Sequence, residues 1–388
     1  MITLIYITPA HFSPPVIRSD LARRRLRETV TQIRERTFPY RRRSRPRFPW
    51  REYEWGQRRE SENVADLIRG LVDLHSQRYP EPPLDRPRGG RPPVPLPDLL
   101  RTLLGQSYRS LPNRGAEADL RLIGSRLGGG RTFCYKVIEK AYSDPRVDRA
   151  LDELLALTNL PVLGLEDTFS PDGSGFATSV RQHYASSRGR QRETDRGESG
   201  LLPPPSEHHD WVYNVAMVGV RYKLIAGWAS WTDHSRGELS VFPEVLRQTL
   251  STHPEMRKMI ADGGYSARWV VEMLRTAGVQ AWILPRRNIT LKSLGMEGWV
   301  AAHWGLITDP QSWLEEYHLR SAASEAEWGA LKARHPGKIR KRRSERRVTE
   351  ARLRGLTKNT RRLAYLRWME QDPGFCRRLA ELHAGFAG

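Results

Sequence analysis

Cysteine is almost missing: Cys134 and Cys376 are the only two in 388 residues. Two thiols so far apart make neither a disulfide framework nor a thiolate metal site, and a reducing cytoplasm suits such a chain. Long apolar runs are missing too. The stretch Ile2 to Ile7 has no basic residues ahead of it and soon meets Pro9, His11, Pro14 and Pro15, so neither a targeting segment nor a transmembrane helix is expected. There is no G-x-x-x-x-G-K-[ST] loop, which removes the usual cradle for a nucleoside triphosphate. No Ser/His/Asp or Cys/His motif for nucleophilic catalysis stands out, and no internal repeat. Acidic residues are in short supply: 44 Asp and Glu face 64 Lys and Arg, a formal charge of +20. That imbalance points to a polyanionic partner.

What is present is enough for a folded protein of about two or three domains. Hydrophobic residues make up 38% of the chain and there are 12 Trp, too many for wholesale disorder. The excess charge is confined to two segments. Residues 1–60 hold 15 basic and 6 acidic residues, and residues 331–362 hold 14 and 2, while the rest of the chain nets to −1. The first patch sets Arg41, Arg42 and Arg43 among Tyr40, Phe48, Trp50, Tyr53 and Trp55, a mixture suited to a phosphate backbone and stacked bases. The second, Lys338 to Arg347, includes Arg340, Lys341, Arg342 and Arg343.

Periodicity and composition divide the chain into a basic arm (1–60), a helical region (61–157) of a kind suited to DNA binding with a Pro-rich linker at 80–97, an α/β region (158–335) and a basic helical tail (336–388). Val64, Leu67, Ile68, Leu71 and Leu74 have helical spacing. After Leu160 the pattern changes to strands over 162–176, 212–220 and 222–231, then a helix over 241–250, a short strand at 259–261, a helix over 267–276 and a strand over 279–284. This order predicts an α/β domain with a mixed sheet. Residues 185–206 read as a loop.

Three acidic residues stand at element boundaries. Asp172 lies in Phe169-Ser-Pro-Asp-Gly-Ser-Gly-Phe176, Asp262 ends the short strand before Gly263-Gly264-Tyr265, and Glu325 sits on an expected helix from Ser321 to Ala333. Two Asp and one Glu are hard oxygen ligands of the kind that hold a pair of Mg²⁺ ions for in-line phosphoryl displacement. Asp167 and Glu327 compete with Asp172 and Glu325 but lack their surroundings. His208-His209-Asp210 is a poor transition-metal cluster, because adjacent side chains on an extended segment point to opposite faces.

Asp172-Gly-Ser-Gly-Phe-Ala-Thr-Ser179 resembles the first catalytic motif of insertion-sequence DDE transposases, Ala261-Asp-Gly-Gly-Tyr265 the second, and Tyr317 to Lys332 the third, a Tyr-x2-Arg-x3-Glu-x6-Lys pattern. The resemblance spans roughly residues 45–365. It departs at one point: four residues separate Arg320 from Glu325 where the pattern has three. On a regular α-helix the extra residue turns Arg320 about 140° from Glu325 instead of about 40°. Either Arg320 precedes the helix, or a bulge absorbs the residue, or the site is compromised. Tyr213 and Ser266 stand where relatives often carry Lys and Asp.

The resemblance implies an RNase H-like catalytic domain in a prokaryotic, cytoplasmic, nucleoid-associated protein that binds double-stranded DNA as a homodimer. It would bind the terminal inverted repeats of its own element, cleave them and join the ends to target DNA, without a nucleotide cofactor. Asp172, Asp262 and Glu325 would be the catalytic metal ligands for two Mg²⁺, replaceable by Mn²⁺; Tyr317, Arg320 and Lys332 would position the end phosphates. Two other readings keep the DNA affinity: a transposase-derived DNA-binding protein without catalysis, and a nuclease of the same fold that cleaves without strand transfer.

Overall fold

The computed structural model describes residues 20–41, 47–81, 93–129, 131, 133–181, 209–335 and 337–383. Most of the Pro-rich linker, with Gly90, and the loop at 185–206 therefore lie outside the described residues. Among those described, five strands form one mixed sheet in the order β3-β2-β1-β4-β5: β1 (Thr168–Arg181), β2 (His209–Gly219), β3 (Ile225–Trp231), β4 (Lys258–Ala261) and β5 (Gln280–Ile283). The first three are antiparallel neighbours, while β1–β4 and β4–β5 are parallel. Each expected strand has a counterpart, but the first, expected over 162–176, is displaced: a 3₁₀ turn occupies Leu160–Val162 and the strand runs Thr168–Arg181.

Strand β2 shows why the sheet forms. Val215 and Met217 enter the core on one face, Val212, Ala216 and Val218 the core on the other, so its period-two alternation is buried on both sides. Helices cover both faces. In chain order they are α1 (Asp20–Arg34), α2 (Trp50–Arg58), α3 (Glu60–Arg78), α4 (Leu96–Tyr108), α5 (Asn113–Ile123), α6 (Tyr135–Ala141) and α7 (Pro145–Asn159) before the sheet. Then come α8 (Glu238–Thr252), α9 (Arg268–Thr276), α10 (Gly298–Thr308), α11 (Pro310–Tyr317), a π-turn at Ser321–Glu325, α12 (Ala326–Arg334), α13 (Ser344–Met369) and α14 (Pro373–His383). Residues 263–324 are all described and hold β5 and helices, with no large β insertion. No helix among the described residues is long and apolar enough to cross a membrane.

Two expectations about organisation change. The helical region is not set apart from the sheet: Leu67, Leu103 and Leu154 share one apolar core with Phe176, Val212 and Trp228. Residues 336–388 are not a tail either. Helix α13 runs through that same core, with Leu353, Leu356, Leu363 and Ala364 buried. Its basic residues are largely spent on internal partners: Arg352 on Asp148 and Asp152, Lys358 on Glu327, Arg361 on Glu60. What reads in composition as a basic helical tail is a helix of the interior whose cations meet acids on the helices around it. Likewise the basic arm is partly helical, because Leu26 and Val30 of α1 pack into the core beneath β1 and α10.

One buried acid ties the turn between β2 and β3 to the start of β1. The Glu166 carboxylate accepts hydrogen bonds from the backbone N–H of Arg221 (2.9 Å) and Tyr222 (2.8 Å). Burial outweighs these bonds and pushes its pKa up from 4.5 to about 7. An acid whose folded pKa exceeds its unfolded value favours folding only while protonated. Stability should therefore fall as pH rises from about 4.5 to about 7, by up to roughly 3 kcal/mol. Urea melts at pH 5 and pH 8 should show that loss in the wild type and a smaller one in Glu166→Gln.

Candidate active site

Asp172 lies mid-strand on β1, opposite Ala216 of β2. The even-numbered side chains of β1 face the π-turn and α12. The Ser170 and Ser324 hydroxyls are 3.2 Å apart, the Trp328 indole donates to the Asp172 carbonyl at 3.4 Å, and the Phe176 and Trp328 rings are 6.1 Å apart. The β1–β4 ladder pairs Thr168 with Lys258 and Phe169 with Met259. Carried on in parallel, that register sets Asp262, the residue after β4, alongside Asp172. Asp262 also caps the short 3₁₀ turn Gly263–Tyr265, its carboxylate accepting from the Gly264 N–H at 2.8 Å.

Of the three readings of the extra residue, the bulge is the one that the backbone shows. The backbone N–H of Ala326 bonds to the Ser321 carbonyl, a five-residue step. In such a turn residues five apart stack as residues four apart do on an α-helix. Arg320 accordingly lies over Glu325 and their side chains form an ion pair at 2.5 Å. The bulge absorbs the insertion. Lys332 follows seven residues after Glu325 on α12, exposed and on the same face of the helix.

The charges are coupled. Burial pushes the Asp172 carboxyl up to about 6; Arg320 opposes this, and the nearby negative charges of Asp262 and Glu325 add to it. Tyr317, stacked on Trp313 at 5.1 Å, holds its ring 5.7 Å from the Arg320 guanidinium. Three carboxylates are hard oxygen donors, the type that suits a divalent cation. Yet among the described residues no three His, Cys, Asp or Glu side chains are gathered closely enough to hold one as they stand, and the Glu325 carboxylate is turned to Arg320.

The competing acids are engaged elsewhere. Asp167 accepts from its neighbour Thr168 at 2.8 Å, Glu327 pairs with Lys358 at 3.0 Å, and Asp210 pairs with Arg347 at 2.8 Å; His208 is outside the described residues. Tyr213 stacks on Trp231 with ring centroids 5.9 Å apart, and Ser266 follows the 3₁₀ turn. Of the basic candidates, Arg342 and Arg343 are exposed, while Arg340 donates to the Ser110 carbonyl at 2.9 Å. Lys341 is 6% exposed and bonded to Glu139 at 3.1 Å, a poor position for a phosphate contact. Arg41 is held through its backbone, which exchanges hydrogen bonds with the Gln311 side chain on α11 at 3.3 and 3.0 Å. Arg42 and Arg43 lie outside the described residues.

Residues not singled out from the sequence also reach the site. Glu238 opens α8, and although its stem is exposed its carboxylate turns in over β1, so close that a Cβ on Gly173 would overlap it at 2.0 Å. Its proton affinity is raised by desolvation against the strand and by Asp172 and Asp262. An acidic residue opening a helix reads in sequence as an ordinary complement to the helix dipole. Arg34, at the end of α1, donates to the Pro285 carbonyl at 2.7 Å and stands 2.8 Å from where a Gly263 Cβ would be. Its Nε is buried without a hydrogen-bond partner. Only the docking of α1 brings it there.

No family model matches the sequence, and no solved structure matches it. The chain is 26% identical over 323 residues to a protein of Archaeoglobus fulgidus described as a "Probable transposase for insertion sequence element ISA1214", an alignment covering 83% of this chain and 90% of that one. Along most of its length, then, this chain is similar to an insertion-sequence transposase.

Proposed function

We propose that the protein is a DDE transposase with an RNase H-like catalytic domain, which binds the terminal inverted repeats of its own element, cleaves the DNA ends and joins them to target DNA. The observation that carries this reading is that Asp172, Asp262 and Glu325 come from three separate elements and the charges of the latter two act on Asp172, with Arg320 brought back over Glu325 by the π-turn. The strand order, with β1 central and flanked by antiparallel β2 and parallel β4, agrees with an RNase H-like sheet. The similarity to a named transposase agrees with the activity.

Asp172, Asp262 and Glu325 would hold two Mg²⁺ ions, or Mn²⁺, which when bound supply activation of the attacking oxygen and stabilisation of the leaving one. The protein's own groups do the rest. Arg320, if released from its ion pair with Glu325, would offer a planar pair of N–H donors to a phosphate. Lys332 places a point charge on the same face. Phosphate contacts from exposed arginines make the affinity fall steeply with salt. Two DNA ends have to be joined together, so a homodimer on DNA is the expected assembly.

The test is cleavage of a supercoiled plasmid carrying the element's ends, in Mg²⁺ and in Mn²⁺, by wild type and by Glu325→Ala. Cuts mapped to the ends in the wild type and missing from the variant support the reading. The Arg320–Glu325 ion pair favours a second one, a transposase-derived DNA-binding protein whose third carboxylate stays locked. Under that reading the wild type binds the ends and cuts nothing in either metal.

A further inference from the structure

Glu327 stands two residues beyond Glu325, about 200° further round the helix, and its carboxylate turns inward to the Lys358 ammonium at 3.0 Å. Lys358 is buried on α13, and its ammonium also donates to the Lys223 carbonyl in the β2–β3 turn. Lys223 and Arg362 feel the Glu327 charge as well, so three cations act on one carboxylate. The space left around the pair, between Trp228 and Trp328, is about 10 Å³, no more than one water's worth. The chain on either side of the π-turn is held independently. Upstream, Trp313, Leu314 and Tyr317 are buried in the core against β4 and β5. Downstream, Ser324 meets Ser170, the Trp328 indole meets the Asp172 carbonyl, and Glu327 meets Lys358.

The surplus residue has to be taken up between these two anchorages, and where it is taken up decides which side chains face Asp172. A bulge moved clear of the step from Arg320 to Glu325 would leave those two about 140° apart on a continuous α-helix. We infer, resting on the reading of Glu325 as the third carboxylate of the site, that Glu327 is a positioning residue: its ion pair with Lys358 fixes the register of the π-turn and so the facing of Glu325 and Arg320. A one-residue turn of α12 would carry Ala326 or Trp328 to the ammonium and strand a buried charge, a sharper penalty than non-directional apolar contacts impose. The pair need not add to stability, since a buried ion pair replaced by well-packed apolar groups often costs nothing. Its effect is to select one register among several.

The test is the full chain carrying Glu327→Leu with Lys358→Met, an apolar pair, made with and without deletion of Ala322. The urea midpoint of the pair should match or exceed the wild type's, while end cleavage falls about a hundredfold through misplacement of Glu325. Deleting Ala322 removes the surplus residue and with it the choice of register, so cleavage should return to within a few-fold of the wild type. Midpoint and cleavage falling together, cleavage at the wild-type rate, or a loss that the deletion leaves in place overturns the inference. Should the apolar pair not fold, Glu327→Gln, which keeps the shape and loses the charge, carries the same comparison. A crystal structure of the variant reads the register without any cleavage: the Ala326 N–H should have left the Ser321 carbonyl, and that bond unmoved overturns the inference. Wild-type cleavage failing on its own would sink the transposase reading and leave the crystallographic result standing.

Discussion

Asp262→Ala is expected to lose end cleavage by roughly three orders of magnitude or more, with affinity for the DNA ends retained. Asp172→Asn should do the same, because a neutral amide keeps the shape and removes the charge. The cause is the site's electrostatics: Asp172 feels both Asp262 and Glu325, so removing any one carboxylate removes part of the field that would draw a divalent cation in. Gel-shift titrations beside single-turnover cleavage of end-labelled DNA would separate the two effects. A variant that cuts at the wild-type rate would remove its residue from the catalytic set. Deleting Ala322 is the informative contrast. It takes out one residue of the five-residue step from Ser321 to Ala326 and lets an α-turn replace the π-turn. Arg320 and the glutamate are then four apart on an α-helix, about 40° around it, so cleavage should change only a few-fold. A large loss would mean that the bulge itself, and not the facing of the two side chains, is what the site requires.

The second large effect concerns stability. Asn359 of α13 is wholly buried and treats β3 as a neighbouring strand would: its Oδ1 accepts from the Ile225 N–H at 2.8 Å and its Nδ2 donates to the Ile225 carbonyl at 2.8 Å. Nδ2 also donates to the Thr158 hydroxyl at 2.9 Å, and Asn159 adds a bond of 2.9 Å to the Ile225 carbonyl. Strand β3 is the edge of the sheet, where unpaired backbone groups would otherwise be left. Asn359→Ala strands the Ile225 N–H in the core, removes a partner of Thr158 and leaves a small void. At about 1–3 kcal/mol for each buried group left unsatisfied, the loss should be roughly 3 kcal/mol or more, read as a lower denaturant midpoint at unchanged slope. Asn359→Asp should be at least as damaging, since it puts a charge beside the Ile225 carbonyl. A midpoint within error of the wild type would show that water or repacking replaces these bonds.

Much of the α/β region was legible in the residues themselves. Runs such as Val212–Val220 and Ala267–Thr276 have periods that only a strand and a helix satisfy, and their order allowed a mixed α/β sheet. Asp172 and Asp262 stood out as candidates because glycines beside a carboxylate are unusual for a merely structural acid, although the boundary expected at Asp172 is absent and the residue lies mid-strand on β1. Glu238 did not, since its role depends on α8 laying its first residue across Gly173. Arg34 did not, because no local pattern says where α1 docks. Charge density misled over the basic C-terminal segment: Lys341, Lys358 and Arg361 lie in what reads as a basic tail, whereas the structure pairs them with Glu139, Glu327 and Glu60.

By itself, then, the sequence determined the element types, the three candidate carboxylates and the excess of positive charge, because these follow from periodicity, residue chemistry and net charge, all local or additive. The tertiary structure alone decided that the insertion before Glu325 is a π-turn, that the basic C-terminal segment is an interior helix, and that Glu238 lies over Gly173 beside the acids. Each depends on which surfaces are buried against each other. Burial sets whether a lysine is paired or free, whether a helix can accommodate an extra residue, and whether a glycine is a turn or a place for another side chain to stand.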